Sequence, residues 1–262
     1  YISYENNVWL RQQFSSFVTY EPVLRHLGTI DAGGWVTLTL QRLNGEIFTM
    51  PIRLADRSAS LVSYMDALHV PVPLFKMHPD KYYWSSTLPT AGVVFIQYNT
   101  CADDPQQSFT GFSKQVLATI DAISAKRVVI DLRQNGGGNS RIIRPLIAGL
   151  RVRQTRHLSV AVLIGPDSFS SAIQNAVELH QELGATLVGE ATGGAASGYG
   201  EVKTLTLPNS HLIVQYTSKR FNSALDPSAT GLSPQVLAPR LWTDALAGRD
   251  PALDAALTHG SD

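Results

Sequence analysis

The stretch VVIDLRQNGGGNS, residues 128–140, runs a short apolar segment straight into three consecutive glycines, Gly136, Gly137 and Gly138. A glycine costs roughly 1 kcal/mol more than an alanine to order. Three together mark a place where side chains are not tolerated, either because a turn needs positive φ or because something lies close against the backbone. Outward from this point, GVVFIQYN (92–99), LSVAVLIG (158–165) and ATLVGE (185–190) read as further short apolar strands. Between them, residues 108–125, 140–151 and 168–184 carry helical apolar spacing. Short apolar strands alternating with amphipathic helices predict parallel β/α units covered on both faces. The fold class read from this alternation is α/β.

The flanking segments have a different texture. Apolar residues at Val8, Leu10, Phe14, Phe17, Val23, Leu24 and Leu27 predict two short helices, interrupted at Pro22 and ending near Gly28. GGWVTLTLQRLNGEIFTMPIRL (33–54) alternates apolar and polar residues on both sides of Asn44-Gly45, a hairpin signal. Residues 56–91, which include VPVPLFKMHPDKYYWSSTLP, read as a connecting segment laid over a surface or cleft. Beyond the last core strand, VKTLTLPNSHLIVQY (202–216) predicts a second hairpin, NSALDPSATGLSP (222–234) a loop, and DPALDAAL (250–257) a terminal helix. Two units are expected: residues 1–90, a helical and β-hairpin region packing on the core, and residues 91–262, the α/β core. The chain opens YISYENNVWLRQQF in text that is already helical and without an initiator methionine, so an upstream segment is expected.

Lysine plus arginine number 21, as do aspartate plus glutamate, with no long run of either sign in 262 residues. Charge therefore gives no reason to expect a nucleic acid or an anionic membrane surface as partner. Cys101 is the only cysteine, which excludes an internal disulfide or a cysteine metal cluster, and no HExxH spacing occurs. No metal site and no cofactor are expected. No apolar run reaches the length of a transmembrane helix. The glycine run is followed by Asn139 and Ser140 where a P-loop needs lysine, and it does not spell GxGxxG, so nucleotide binding is disfavoured.

A second stretch, IGPDSFSSAIQNAVELHQEL (164–183), carries the other chemical signal. A strand ends at Ile164, Gly165 and Pro166 turn the chain, and Asp167 or Ser168 is placed to cap the helix. Ser170 and Ser171 then fall in its first turn, where backbone N–H groups lack intrahelical partners. The glycine loop and this serine-bearing turn follow successive parallel strands, so both open on one edge of the sheet, where ligands bind in α/β folds. One offers an exposed hydroxyl and the other bare backbone donors, the pair that acyl transfer requires. Asp131, Arg133 and Asn135 read as a polar network holding the glycine loop.

These motifs resemble peptidase family S41, the C-terminal processing and tail-specific proteases. The resemblance covers most of residues 90–240 through VVIDLRQNGGG, FSSAIQNA, LVGEATGG and GLSPQV; ISYENNVWLR and HPDKYYWSSTLP look like S41-like bacterial proteins. It implies a crotonase/ClpP-like β/α core and a serine peptidase with a polypeptide substrate, located outside the cytoplasm. Carried over by residue, Ser170 is the nucleophile, Ser171 donates one oxyanion N–H, and Gly137 or Gly138 donates the other. The chain departs from the family at the base. Ala195 stands where the Ser/Lys branch has its lysine, and Lys203 comes eight residues later. Ser228 stands where the Ser/His/Glu branch has its acid, with Asp226 two residues earlier as the acid candidate. That branch's histidine belongs to an upstream stretch. His69 and His78 flank the proline-rich segment and are minor candidates for the base; His180 and His211 read as structural. The resemblance leaves open a catalytically inactive module that binds a peptide or apolar ligand. An acyl-CoA enzyme of the crotonase superfamily is a weaker third reading, because the serine-bearing helix speaks against it.

Overall fold

The computed structural model describes residues 6–18, 20–42, 44–55, 60, 62–88, 92–154, 158–222 and 230–259. In chain order its elements are α1 (Asn7–Phe17), α2 (Glu21–His26), β1 (Trp35–Gln41), β2 (Ile47–Arg53), α3 (Tyr64–Ala67), β3 (Tyr83–Thr87), β4 (Val93–Tyr98), α4 (Phe109–Ala122), β5 (Arg127–Asp131), α5 (Arg144–Gln154), β6 (Ser159–Ile164), α6 (Ser171–Leu183), β7 (Thr186–Gly189), β8 (Gly198–Thr206), β9 (Ile213–Phe221), β10 (Val236–Leu237), α7 (Trp242–Leu246) and α8 (Pro251–Thr258). The six-stranded sheet has the order β10-β7-β6-β5-β4-β3. Strands β4 to β7 and β10 are parallel, while β3 pairs antiparallel with β4 at the edge.

The apolar runs of the sequence are continuous because the sheet is covered on both sides. Val128, Ile130 and Leu132 share one face with Ile96 and Val162, against apolar side chains of α4, α5 and α6. Val129 points the other way, with Phe95, Leu163 and Val188, against Ala252 and Ala256 of α8. Stepping one residue along β5 thus moves a side chain from one core to the other. Helix α6 ends at Gly184, which takes φ 61 and donates to Leu179 O, a left-handed C-cap. The predicted 140–151 helix is a 3-10 turn, Ser140–Ile143, that runs into α5.

Residues 83–87 depart from the expected connecting segment, since they form β3, the antiparallel edge strand. Tyr83 packs into the α4 side of the core and Trp84 into the α8 side, so two adjacent aromatics anchor the strand on opposite faces. The prolines at 71, 73 and 79 precede it and mask its short alternation. Both hairpins form as expected: β1 pairs antiparallel with β2 across Gly45 at φ 88, and β8 pairs antiparallel with β9.

The Asp131–Arg133 part of the expected polar network serves the frame of the sheet and leaves the glycine loop to other residues. Arg133 pairs with Asp131 at 2.6 Å and with Asp250 at 2.7 Å. Asp250 is the N-cap of α8, accepting from Leu253 N, so the cluster ties the end of β5 to that helix. Burial pushes the Asp131 carboxyl up, opposed by the charge of Arg133. Burial alone would lower the Arg133 guanidinium, but the Asp131 charge and the bonds to Asp250 and Asp131 outweigh it and hold it protonated. Removing one partner of such a pair leaves a buried charge uncompensated. Arg133→Ala is expected to lower the unfolding free energy by about 3–5 kcal/mol in urea titrations, and a loss below about 1 kcal/mol would show that the pair is solvated.

Candidate active site

Loops leaving the carboxyl ends of the neighbouring strands β5 and β6 are joined by three hydrogen bonds. Ser168 Oγ donates to Leu132 O at 2.8 Å, Phe169 N to Asn135 O at 3.0 Å, and Ser171 Oγ to Gly138 O at 2.6 Å. These bonds press the glycine loop against the turn into α6. A Cβ on Gly137 would lie 2.7 Å from Ser170 Cβ, 3.0 Å from Ser171 N and 3.1 Å from Phe169 O. A Cβ on Gly138 would lie 2.4 Å from Cys101 O. Gly137 takes φ 106 and Gly138 φ 134, regions that favour glycine. Two of the three glycines are therefore required twice over, by backbone angle and by close approach.

Ser170 precedes α6 with φ 51 and ψ −121, and its side chain makes no capping hydrogen bond. Ser108 shows the contrast: at the start of α4 it has φ −63 and ψ 147, and its hydroxyl accepts from Gly111 N. An ordinary serine cap has extended backbone and a committed hydroxyl; Ser170 has neither. The expectation that Asp167 or Ser168 caps α6 is not met. Ser168 is buried with its hydroxyl between Gly165 N and Leu132 O, and the Asp167 carboxylate accepts from Gln12 Nε2 at 2.9 Å. Burial pushes the Asp167 carboxyl up, with the Gln12 bond and the Lys76 charge opposing. A left-handed non-glycine residue stores about 1–3 kcal/mol of strain and persists where its surroundings over-determine it. The resulting elbow leaves Ser170 exposed at the mouth of a strand–turn–helix junction.

The backbone donors around Ser170 divide in a definite way. Gly137 N–H donates to Asn135 Oδ1 at 2.8 Å, so it is engaged within its own loop. Cys101 forms a parallel bridge with Gly138, in which Cys101 N donates to Gly137 O and Asn139 N donates to Cys101 O. Gly137 C=O and Asn139 N–H thus face Cys101, and because N–H and C=O are anti across each trans peptide, the N–H and C=O of Gly138 face the opposite side. On that side its carbonyl meets Ser171 Oγ. Among the described residues, the N–H groups of Gly138 and Ser171 have no hydrogen-bond partner.

Beneath the loop, Asn135 donates to Tyr98 O at 2.8 Å while its Oδ1 serves Gly137, and Asn175 Nδ2 donates to Ser140 O at 2.8 Å. The Cys101 thiol lies 3.4 Å from both asparagine oxygens. Of the sequence-predicted network, Asn135 is the member that holds the glycine loop. The spacing of the motif marks Asn135, but nothing local in the sequence marks Asn175 or the burial of Cys101.

Ala195 lines a pocket of about 50 Å³ together with Ser170, Phe169, Gln174, Tyr199 and Phe221. Ala195, the position at which the resemblance implies a lysine, thus lines the same pocket as the serine and carries no amine. Lys203 lies on β8, exposed and in register with Tyr216. His69 and His211 are exposed, His78 stacks edge-on against Trp84, and His180 Nδ1 is 2.8 Å from Ala185 O. Asp226 and Ser228 lie outside the described residues. No side chain among the described residues hydrogen-bonds the Ser170 hydroxyl, and none of their His, Cys, Asp and Glu groups is arranged to hold a metal. No helix among them is long and apolar enough to cross a membrane.

No protein-family model matches the sequence, and no curated protein matches it. Solved structures do. A candidate peptidase of Parabacteroides merdae is similar at 17% identity over 67% of this chain and 63% of its own, with a TM-score of 0.51. Mature CPAF is similar at 14% identity over 85% of this chain and 65% of its own, with a TM-score of 0.50. A candidate S41 protease of Bacteroides fragilis is 17% identical over 85% of this chain and 62% of its own, at a TM-score of 0.49. The fold is S41-like. At these identities the likeness is one of fold, a peptidase fold, and the chain spans under two thirds of the length of each of these three proteins.

Within this S41-like core, burial pushes the Cys101 thiol up to about 11, against the lowering effect of the nearby Tyr98 hydroxyl and of its bond to Asn135. At pH 8 only about one thiol in a thousand would be ionised, and the thiolate is the reactive form. Native protein is expected to resist iodoacetamide at pH 8 and to take up one equivalent once unfolded; stoichiometric alkylation of the native state would contradict this burial.

Proposed function

We propose that this chain carries the nucleophile and the oxyanion site of a serine peptidase of S41 type, acting on an extended polypeptide. The observation that carries the reading is the left-handed backbone of Ser170, held against Gly137 with its hydroxyl uncommitted. In the proposed reaction Ser170 Oγ gives its proton to a base and bonds to the scissile carbonyl carbon. The N–H groups of Gly138 and Ser171 receive the resulting oxyanion, each donor lowering the barrier by about 3 kcal/mol. The C–N bond then breaks, the base protonates the departing amine, and water hydrolyses the acyl-serine. Asp226 is assigned as the acid that orients the base, and the base is assigned to residues beyond the described set. The β8–β9 hairpin, whose base lines the serine's pocket at Gly198, Tyr199 and Phe221, offers an edge for main-chain pairing with substrate. A location outside the cytoplasm accompanies this reading.

A fluorophosphonate probe tests it. The protein is expected to be labelled at one site, mapped to Ser170 by peptide mass spectrometry and lost in Ser170→Ala. Absence of labelling, or equal labelling of Ser170→Ala, would contradict a nucleophilic serine.

Two observations favour a second reading, a binding module without catalysis: Ala195 lines the pocket with Ser170, and no described side chain hydrogen-bonds the hydroxyl. A positioned base contributes about 10²–10⁴ in rate. On this reading Ala195→Lys is expected to raise the fluorophosphonate labelling rate by about 10²-fold or more, and an unchanged rate would show that an amine at 195 does not reach the serine.

A further inference from the structure

Helix α1 buries none of its own residues in the core. One row of its side chains, Asn6, Trp9 and Gln12, is spaced three apart and so lies on one face. Each is spent on a loop at the serine end of the sheet. Trp9 stacks on Phe169, the residue before Ser170, with ring centroids 4.5 Å apart and planes at 27°. Its ring also lies where a Cβ on Gly193 would come within 2.6 Å of Cε3. Gln12 donates to Asp167 in the elbow loop. Asn6, which caps α1 by accepting from Trp9 N, is buried and donates to Thr192 O at 3.1 Å and Thr230 O at 2.6 Å.

These contacts reach three segments of the chain. The first is the elbow itself; the second, Thr192–Gly193, leads to Ala195; the third, Thr230, directly follows residues 223–229 and so Asp226. A backbone at φ 51 relaxes unless its neighbours prevent it. On the inner side Phe169 is held by its N–H bond to Asn135 O, and on the outer side by the indole of Trp9.

We propose that the first turn of α1 is a clamp on the nucleophile elbow, with Trp9 as a positioning residue for Ser170. This rests on the reading of Ser170 as nucleophile. The clamp acts through Phe169 and not on the reacting atoms, so its loss changes how often Ser170 holds the strained geometry. It also makes α1, within the 1–90 region that the sequence reads as packing on the core, part of the reacting unit.

The test uses the whole protein and two readouts: amide hydrogen exchange without any probe, and the rate of fluorophosphonate labelling. Trp9→Ala is expected to raise exchange at least tenfold in residues 165–173 and 190–197 while β4 and β5 keep their protection, and to slow labelling at least tenfold. Trp9→Phe, which keeps an aromatic face against Phe169, is expected to recover most of both. Leu10→Ala, on the side of α1 that lines an apolar cavity with Phe14 and Phe17, is expected to leave both unchanged. Exchange in Trp9→Ala that is unchanged, or raised evenly across β4 and β5, would overturn the clamp. Wild-type labelling with Trp9→Ala labelled at the same rate would overturn the positioning role. Wild-type protein that does not label defeats the nucleophile reading and with it the positioning role, and exchange then decides the clamp alone.

Discussion

The contact on which the site depends is the meeting of Gly137 with Ser170. A hypothetical Cβ there would sit 2.7 Å from the serine Cβ, inside any tolerable separation, so the two loops lie at a distance only bare backbone permits. That approach follows from the adjacency of β5 and β6 in a parallel sheet and from the three hydrogen bonds between their following loops. The strain at Ser170 is the counterpart of the same contact. With φ 51 the residue cannot serve as an ordinary helix cap, and its hydroxyl stays available. The two N–H groups that have no partner among the described residues arise from the same geometry, since Gly138 turns its donor away from Cys101 and Ser171 begins a helix.

A division of labour follows within the fold. The two sides of the sheet supply rigidity, through the apolar packing of α4, α5 and α6 on one face and of α8 on the other. The Asp131–Arg133–Asp250 cluster locks the end of β5 to α8, and the buried Asn135 and Asn175 fix the loop from below. The groups proposed for the chemistry, main-chain donors and one hydroxyl, stand at the edge of that frame. Among the described residues no side chain hydrogen-bonds the Ser170 hydroxyl, and Ala195, which lines the same pocket, brings no amine to it.

Much of the core was legible because its strands are short, apolar and separated by regular helices, a pattern with few alternative folds. The serine turn and the glycine run were legible for a different reason: both break local rules, and rule-breaking residues concentrate at functional sites. What escaped was long-range. Tyr83–Thr87 became a strand by pairing with β4, a partner that no five-residue alternation announces beside three prolines. The cap of α6 was misplaced because Ser168 and Asp167 have the right chemistry for capping but are claimed by Leu132 O and Gln12 from distant segments. That Gly137 N–H is engaged while Gly138 N–H turns away from Cys101 is not legible locally, since it depends on the bridge to Cys101 and on the side chain of Asn135. Likewise, α1 reads in sequence as one amphipathic helix among others, and its ties to residues 167, 169 and 192 exist only in three dimensions.

The most direct measurement is a crystal structure of the protein after phosphonylation. The central claim predicts a covalent bond from Ser170 Oγ to phosphorus. One phosphonyl oxygen should then stand about 2.7–3.1 Å from both Gly138 N and Ser171 N. An adduct on another residue, or a phosphonyl oxygen that turns to solvent while both N–H groups remain unpaired, would contradict it.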